Sequence, residues 1–160
     1  IQLDLNMPVR FGLNCVNEEG KDEQVYMIHA AIMGSIERFL SVLIEHLAGA
    51  FPAWLSPVQV KIIPISEQNV EYATKLEKSL LENGVRVEVD SDSERMQNKI
   101  RQAQEQKIPY MLIVGKREES EETVSLRYRD GTEIKDLKFA EFSEKLFNNI
   151  KDRKLDIKFE

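Results

Sequence analysis

Polar and apolar residues alternate from the first position: Ile1, Leu3 and Leu5 are separated by Gln2 and Asp4, the period of a strand with one polar face. Phe11, Leu13 and Cys15 alternate again. The polar stretch NEEGKD at 17–22 supplies a glycine-containing turn, and VYMI at 25–28 returns as a strand, so an antiparallel hairpin or meander is expected. The period then lengthens. Ile36, Phe39, Leu40, Leu43, Ile44 and Leu47 fall at helical spacing and predict a helix with one broad apolar stripe, stopped at Gly49. FPAWLSP at 51–57 contains Pro52 and Pro57 and reads as a stiff connector anchored by Trp54. A few short strands and one helix are too little for an independent domain. The pattern therefore divides the chain into a domain part, 1–56, and a domain, 58–160.

Beyond the connector, strand and helix signals alternate. VQVKIIPI (58–65) is a strand. Ser66 can cap a helix over 67–83 that turns Val70, Ala73, Leu76 and Leu80 inward and stops at Gly84. VRVEVD (85–90) alternates as a strand; Ser91 and Glu94 then have capping-box spacing for a helix from 92 to about 106 that buries Met96, Ile100 and Ala103. PYMLIVG (109–115) is a continuous apolar run, as in a strand covered on both faces. REESEE at 117–122 reads as a solvated loop or hairpin tip, TVSLRYR (123–129) as a strand followed by the turn pair Asp130–Gly131, and Phe139, Phe142, Leu146 and Ile150 as the inner face of a last helix. The order β-α-β-α-β-β-α predicts an α/β fold with a mostly parallel sheet and helices on its faces.

Composition narrows the function. A net charge of −6 argues against indiscriminate nucleic-acid binding, which needs a broad positive field, yet leaves room for recognition by a few placed cations. No apolar run reaches the length of a membrane span. One cysteine, Cys15, excludes an intrachain disulfide and an all-cysteine metal site; it is expected as a small half-buried strand residue, and the lack of a disulfide framework fits the cytoplasm.

No Ser-His-Asp set, phosphate-binding loop or dinucleotide fingerprint is present. His46 falls on the polar side of the first helix, and His29 stands alone, without the partners a zinc site needs. The run Gly34-Ser35-Ile36-Glu37-Arg38 is more informative. A glycine at a strand-to-helix junction admits a ligand close to the backbone. Arg38, one turn on, can point over that junction, where a guanidinium suits an aromatic base or a phosphate. Equally, Glu37 and Arg38 could be ordinary polar residues opening an amphipathic helix.

The blocks MIHAAIMGSIERF, FPAWLSPVQV and EQKIPYMLIVG (105–115) together resemble the C-terminal region of threonyl-tRNA synthetases, class II aminoacyl-tRNA synthetases. The resemblance covers essentially the whole chain. It implies a small antiparallel-strand and helix fragment of a class II catalytic domain (motif 3), followed by a mixed, mostly parallel five-stranded α/β anticodon-binding domain. It implies that Arg38 packs on the adenine of ATP, that Gln2, Gly34 and Ser35 line the nucleotide and adenylate pocket, and that His29 is one ligand of a zinc ion whose other ligands lie upstream. On the second helix of the domain, Glu94 and Arg101 would face the anticodon and Lys99 would reach phosphate. The stripe Glu94, Asn98, Arg101 and Glu105 would be exposed. The implied substrates of the parent are threonine, its tRNA, and ATP with magnesium; the parent would be a cytoplasmic homodimer, while these 160 residues would be monomeric and inactive alone. The chain departs from the family pattern at Ala30, Asp92, Ser93 and Gln97. A non-catalytic synthetase paralogue, acting as an RNA-binding or protein-interaction module, remains the alternative.

Overall fold

The opening alternation forms strand β1 (Gln2–Asp4), but the chain does not run straight on to a hairpin. Asp4 Oδ1 accepts the backbone N–H groups of Asn6 and Met7, both at 2.9 Å, and Pro8 sits in the first turn that follows, where its fixed φ suits a helix and its missing N–H costs nothing. The result is a one-turn helix, α1 (Met7–Arg10), where only alternation was expected. The next strand consequently starts late: β2 (Asn14–Val16) pairs antiparallel with β3 (Asp22–Gln24) around the expected turn. Asn17 Oδ1 accepts from the N–H groups of Glu19 and Lys21 there. Strand β4 (Met27–His29) closes back on β1, with Gln2 opposite His29. Two separate two-stranded ladders thus replace a meander. Helix α2 (Ile36–Leu47) forms as its periodicity predicts, yet none of its residues is buried. Cys15 is exposed rather than half-buried.

This computed structural model describes residues 1–159. The chain forms two compact units, Ile1–Glu45 and a second beginning at His46. The second unit therefore takes in the connector. Arg86 explains why: its guanidinium donates to the Ser56 carbonyl from two nitrogens, at 2.9 and 2.8 Å, and to the Trp54 carbonyl at 3.0 Å. Gln59 bridges the Ala53 carbonyl and the Arg86 N–H.

Within the second unit, β5 (Val60–Pro64), α3 (Val70–Glu82), β6 (Val87–Val89), α4 (Met96–Glu105), β7 (Tyr110–Val114), α5 (Lys116–Glu121), β8 (Thr123–Tyr128), β9 (Glu133–Lys138) and α6 (Phe139–Lys151) follow in order. The sheet order is β6-β5-β7-β8-β9. β5 pairs parallel with β6 and β7, β7 antiparallel with β8, and β8 antiparallel with β9, so β8 alone runs against the other four. A 3₁₀ turn, Glu67–Asn69, delays the start of α3. The Ser66 hydroxyl donates to the Asn69 side chain at 2.8 Å instead of capping a backbone N–H.

REESEE is helical, not a loop. Glu118 and Glu119 occupy the first turn of α5, at the positive end of its dipole. Glu118 Oε2 also accepts the Gly115 N–H at 3.0 Å. Alternation along β5 and β7 sends neighbouring residues to opposite faces. Ile62 and Leu112 join Leu76, Leu80, Phe142 and Leu146 in one layer, whereas Ile63 and Met111 join Ala103 and Ile108 in the other. Tyr110, Tyr128, Phe142 and Phe159 form an aromatic cluster, in which the Tyr110 hydroxyl donates to the Ile157 carbonyl at 2.9 Å.

Candidate nucleic-acid interface

In the first unit, the β1–β4 ladder sets Gln2 beside His29. Asp4, two residues on from Gln2, meets the same imidazole: His29 Nε2 lies 3.2 Å from Asp4 Oδ2. The N–H groups of Met7 and Asn6, and then His29, hold the Asp4 carboxyl below its ordinary value. This leaves His29 Nδ1 free of that contact, so one imidazole nitrogen is available to a ligand while a carboxylate orients the ring, the arrangement common behind metal-bound histidines. Among the described residues no cluster of three or more His, Cys, Asp or Glu side chains could hold a metal; His29 can be one ligand of a site and no more.

At the strand-to-helix junction, Gly34 and Ser35 precede helix α2, which carries Arg38 in its first turn. Gly34 has φ +73°, and a Cβ built there would lie 3.7 Å from Arg38 Cδ and 3.8 Å from Arg38 Nη1. The Ser35 hydroxyl accepts the Arg38 N–H at 3.3 Å. Gly34, Ser35 and Arg38 therefore form one exposed corner, with the guanidinium lying back over the glycine.

In the second unit the parallel strands β5 and β6 end side by side, and their carboxyl ends carry the loops 64–67 and 91–94. Carboxyl ends of parallel strands are where open α/β sheets place their ligands. Pro64, Ser66, Glu67, Ser91, Ser93 and Glu94 are among the residues lining a cleft of about 260 Å³ there. Helix α4 begins at Met96, four residues later than the spacing of Ser91 and Glu94 suggests, and Arg95 stands at its N-cap without a side-chain hydrogen bond. The capping-box reading of Glu94 is therefore wrong. Glu94 lies before the helix, its carboxylate accepting from Asn98 Nδ2 at 2.7 Å. Asn98, Arg101 and Glu105 continue along the exposed face as expected, with Arg101 Nε donating to Glu105 Oε1 at 2.8 Å. That bond raises the Arg101 pKa above its ordinary value.

Lys99 departs from expectation. It is buried, and its ammonium donates to the Asp90 carbonyl at 2.8 Å, so it does not present itself to a phosphate. Placing it on the inner side of α4 follows from position: Lys99 lies between Met96 and Ala103, three and four residues away, on the face that meets the sheet.

Further polar groups gather beyond β5 and β7 that no local motif announced. Asn69 Nδ2 donates to Glu119 Oε2 at 3.0 Å, and the Ser125 hydroxyl to Glu118 Oε1 at 3.0 Å. The backbone must come close at this point: a Cβ on Gly115 would lie 2.8 Å from Ile65 Cδ1. A glycine directly after an apolar strand was the available signal.

Comparison with known proteins bears on both units. Residues 59–149 match the anticodon binding domain family, and residues 1–47 match the tRNA synthetase class II core domain (G, H, P, S and T). The chain is 50% identical over 157 residues to a threonine–tRNA ligase of Dehalococcoides mccartyi, covering 98% of this chain and 27% of that protein. It is 47% identical over 160 residues to one of Thermotoga petrophila, covering 100% of this chain and 25% of that protein. The chain thus spans about a quarter of the length of these relatives. Among solved structures, the RNA binding domain of threonyl-tRNA synthetase from Cryptosporidium parvum superposes with a TM-score of 0.81 at 36% identity, over 92% of this chain and 38% of that one. Prolyl-tRNA synthetase of the same organism shares the fold, with a TM-score of 0.64 at 22% identity, over 91% of this chain and 31% of that one.

Proposed function

This chain belongs to the anticodon-binding domain family, and on that premise we propose that it forms part of a threonine–tRNA ligase, supplying motif 3 of the catalytic domain and recognition of the anticodon. The observation that carries this reading is the placement of Glu94 at the rim of the cleft beyond β5 and β6, with Asn98 and Arg101 following on the exposed face of α4. Carboxylates accept hydrogen bonds from base amino groups, and a guanidinium can stack on a base or pair with its edge. Glu94 and Arg101 are the bases' partners in this account; the buried Lys99 is not.

In the parent protein, the threonine carboxylate attacks the α-phosphate of ATP, supplied with magnesium, to form the threonyl adenylate and release pyrophosphate; a hydroxyl at the 3′ end of the tRNA then takes the threonyl group and AMP leaves. Arg38 packs on the adenine while Gly34 lets the nucleotide close to the backbone and Ser35 and Gln2 line the pocket. His29, oriented by Asp4, would be one zinc ligand, and the metal would supply Lewis-acid binding of the polar groups of threonine. The remaining ligands come from outside the described residues. The parent is a homodimer in the cytoplasm; among the described residues no helix is long and apolar enough to cross a membrane.

Titration of the chain with threonine tRNA and with an unrelated tRNA at low salt tests the reading. Binding should favour threonine tRNA, and Arg101→Ala should weaken it by about 1–3 kcal/mol, as for one lost base contact, while thermal stability stays put because the Arg101–Glu105 pair is exposed. Equal affinity of wild type and variant, or no preference between the tRNAs, contradicts anticodon recognition. These residues supply a single nucleotide-binding arginine, Arg38, and a single zinc-ligand imidazole, His29, so the chain alone should show no threonine-dependent ATP–pyrophosphate exchange.

A further inference from the structure

Helix α4 carries one residue that its amphipathic pattern does not account for. Lys99 is 4% exposed and Asp90, just past β6, is 7% exposed. A buried ion pair is costly to desolvate, and a well-packed apolar residue in its place is often neutral or stabilising. The pair therefore calls for a reason other than stability. The hydrogen bonds supply one. Lys99 Nζ donates to the Asp90 carbonyl at 2.8 Å and stands 3.4 Å from Asp90 Oδ1. The Asp90 N–H donates to the Ile62 carbonyl of β5 at 2.9 Å, and Asp90 Oδ1 accepts the Asp92 N–H at 3.3 Å. One ammonium thus grips the residue at which the sheet gives way to the loop 91–94.

That loop has few other restraints. Beyond the Asp92 bond, it is tied by the hydrogen bond that the Glu94 carboxylate receives from Asn98, and the helix it enters has no side-chain cap. The cleft it borders is lined by the carboxylates of Glu67, Asp92 and Glu94 around a single cation, Lys99. Three carboxylates repel a phosphate, so the ammonium is not there to attract one.

We infer that the Lys99–Asp90 pair is a positioning device for RNA recognition: it sets the loop 91–94 so that the Glu94 carboxylate stands at the rim of the cleft, while Lys99 itself touches no phosphate. This rests on the anticodon reading of α4. The test compares wild type, Lys99→Met and the double variant Asp90→Asn/Lys99→Met. The single change strands a buried carboxylate and should lower the melting temperature; the double change removes both charges and should restore most of it. Three further readouts separate positioning from mere stability. Amide hydrogen exchange at 91–95 should speed up in both variants. The preference for threonine tRNA over an unrelated tRNA should fall about tenfold in both, the loss expected when one base contact is misplaced. The salt dependence of binding should not change, whereas loss of a phosphate contact would reduce its logarithmic slope by about one.

Recovery of loop exchange and tRNA preference together with the melting temperature in the double variant would reduce the pair to a structural role and overturn the inference. So would unchanged loop exchange in Lys99→Met, or a reduced salt slope. If loop exchange responds as expected while wild type itself fails to distinguish the two tRNAs, the anticodon reading has failed, and the recognition role of the pair falls with it.

Discussion

Helices α2 and α3 obey the same amphipathic rule and meet opposite fates. Along α3, Tyr72, Ala73, Leu76 and Leu80 are buried. Along α2, Ile36, Leu40 and Ile44 keep 68%, 46% and 51% of their surface exposed. Periodicity fixes which face of a helix is apolar; it does not say what covers that face. α3 packs on β5 and β6 of the five-stranded sheet, in a layer it shares with α6. The first unit offers ladders of two three-residue strands each, and isolated two-stranded ribbons are marginal in water. The comparison separates a unit that completes its own core from one whose apolar helix is left unpartnered among the described residues.

The largest expected effect follows from that contrast. Phe142 is fully buried between Tyr110 and Phe159; Phe142→Ala should cost about 3–5 kcal/mol. Leu40→Ala, on the open face of α2, should change stability by no more than about 0.5 kcal/mol. Urea unfolding followed by far-ultraviolet circular dichroism, which reports the helices of both units, measures both, and similar costs at the two sites would erase the distinction between the units.

A smaller effect probes where the second unit begins. Arg86→Met removes the donors that hold the Trp54 and Ser56 carbonyls and should cost about 1 kcal/mol, because the part-buried Ser56 carbonyl loses both of its charged donors. If the melting temperature does not move, the connector is not held as a part of the second unit.

Smallest is a pH effect at the exposed edge of that unit. The Lys158 ammonium, followed by the N–H and hydroxyl of Thr132, lowers the Asp130 carboxyl from its ordinary 3.8 to about 2. A depressed carboxyl stabilises the fold above its unfolded value and loses that contribution as pH falls through the folded value, here between about 4 and 2. Asp130 is solvent-exposed, so the contribution is below about 1 kcal/mol. Asp130→Asn should flatten the stability profile in that window by this amount; an unchanged profile would show that the Asp130–Lys158 contact does not persist in solution.

Much of this could be read from the residues alone. Strands β5 and β7, helices α3, α4 and α6, and the Asp130–Gly131 turn announce themselves, because period, glycine stops and apolar runs agree there. The misreadings share a cause: a short-range polar bond outweighed pattern. Asp4 bonded forward to Asn6 and Met7 and made α1. Glu118 bonded back to Gly115 and made α5. Ser66 chose the Asn69 side chain over the helix end. At the site, helical spacing gives both the exposed Asn98–Arg101–Glu105 ridge and the inward position of Lys99, but not the partner that lets its ammonium stay buried. A lysine on an apolar face is read as reaching out unless its partner is known, and Asp90 lies nine residues away, just past the end of β6. The Asn69–Glu119 and Ser125–Glu118 bonds escaped for the same reason, since their partners lie in different elements.

The central claim is that residues from His46 onward fold by themselves and carry the RNA recognition. Residues 46–160 should therefore be produced alone and compared with the whole chain by thermal unfolding and by titration with threonine tRNA and an unrelated tRNA at one salt concentration. The account predicts the same melting temperature and the same preference for threonine tRNA in both. Loss of cooperative unfolding, or loss of the preference when residues 1–45 are removed, would contradict it.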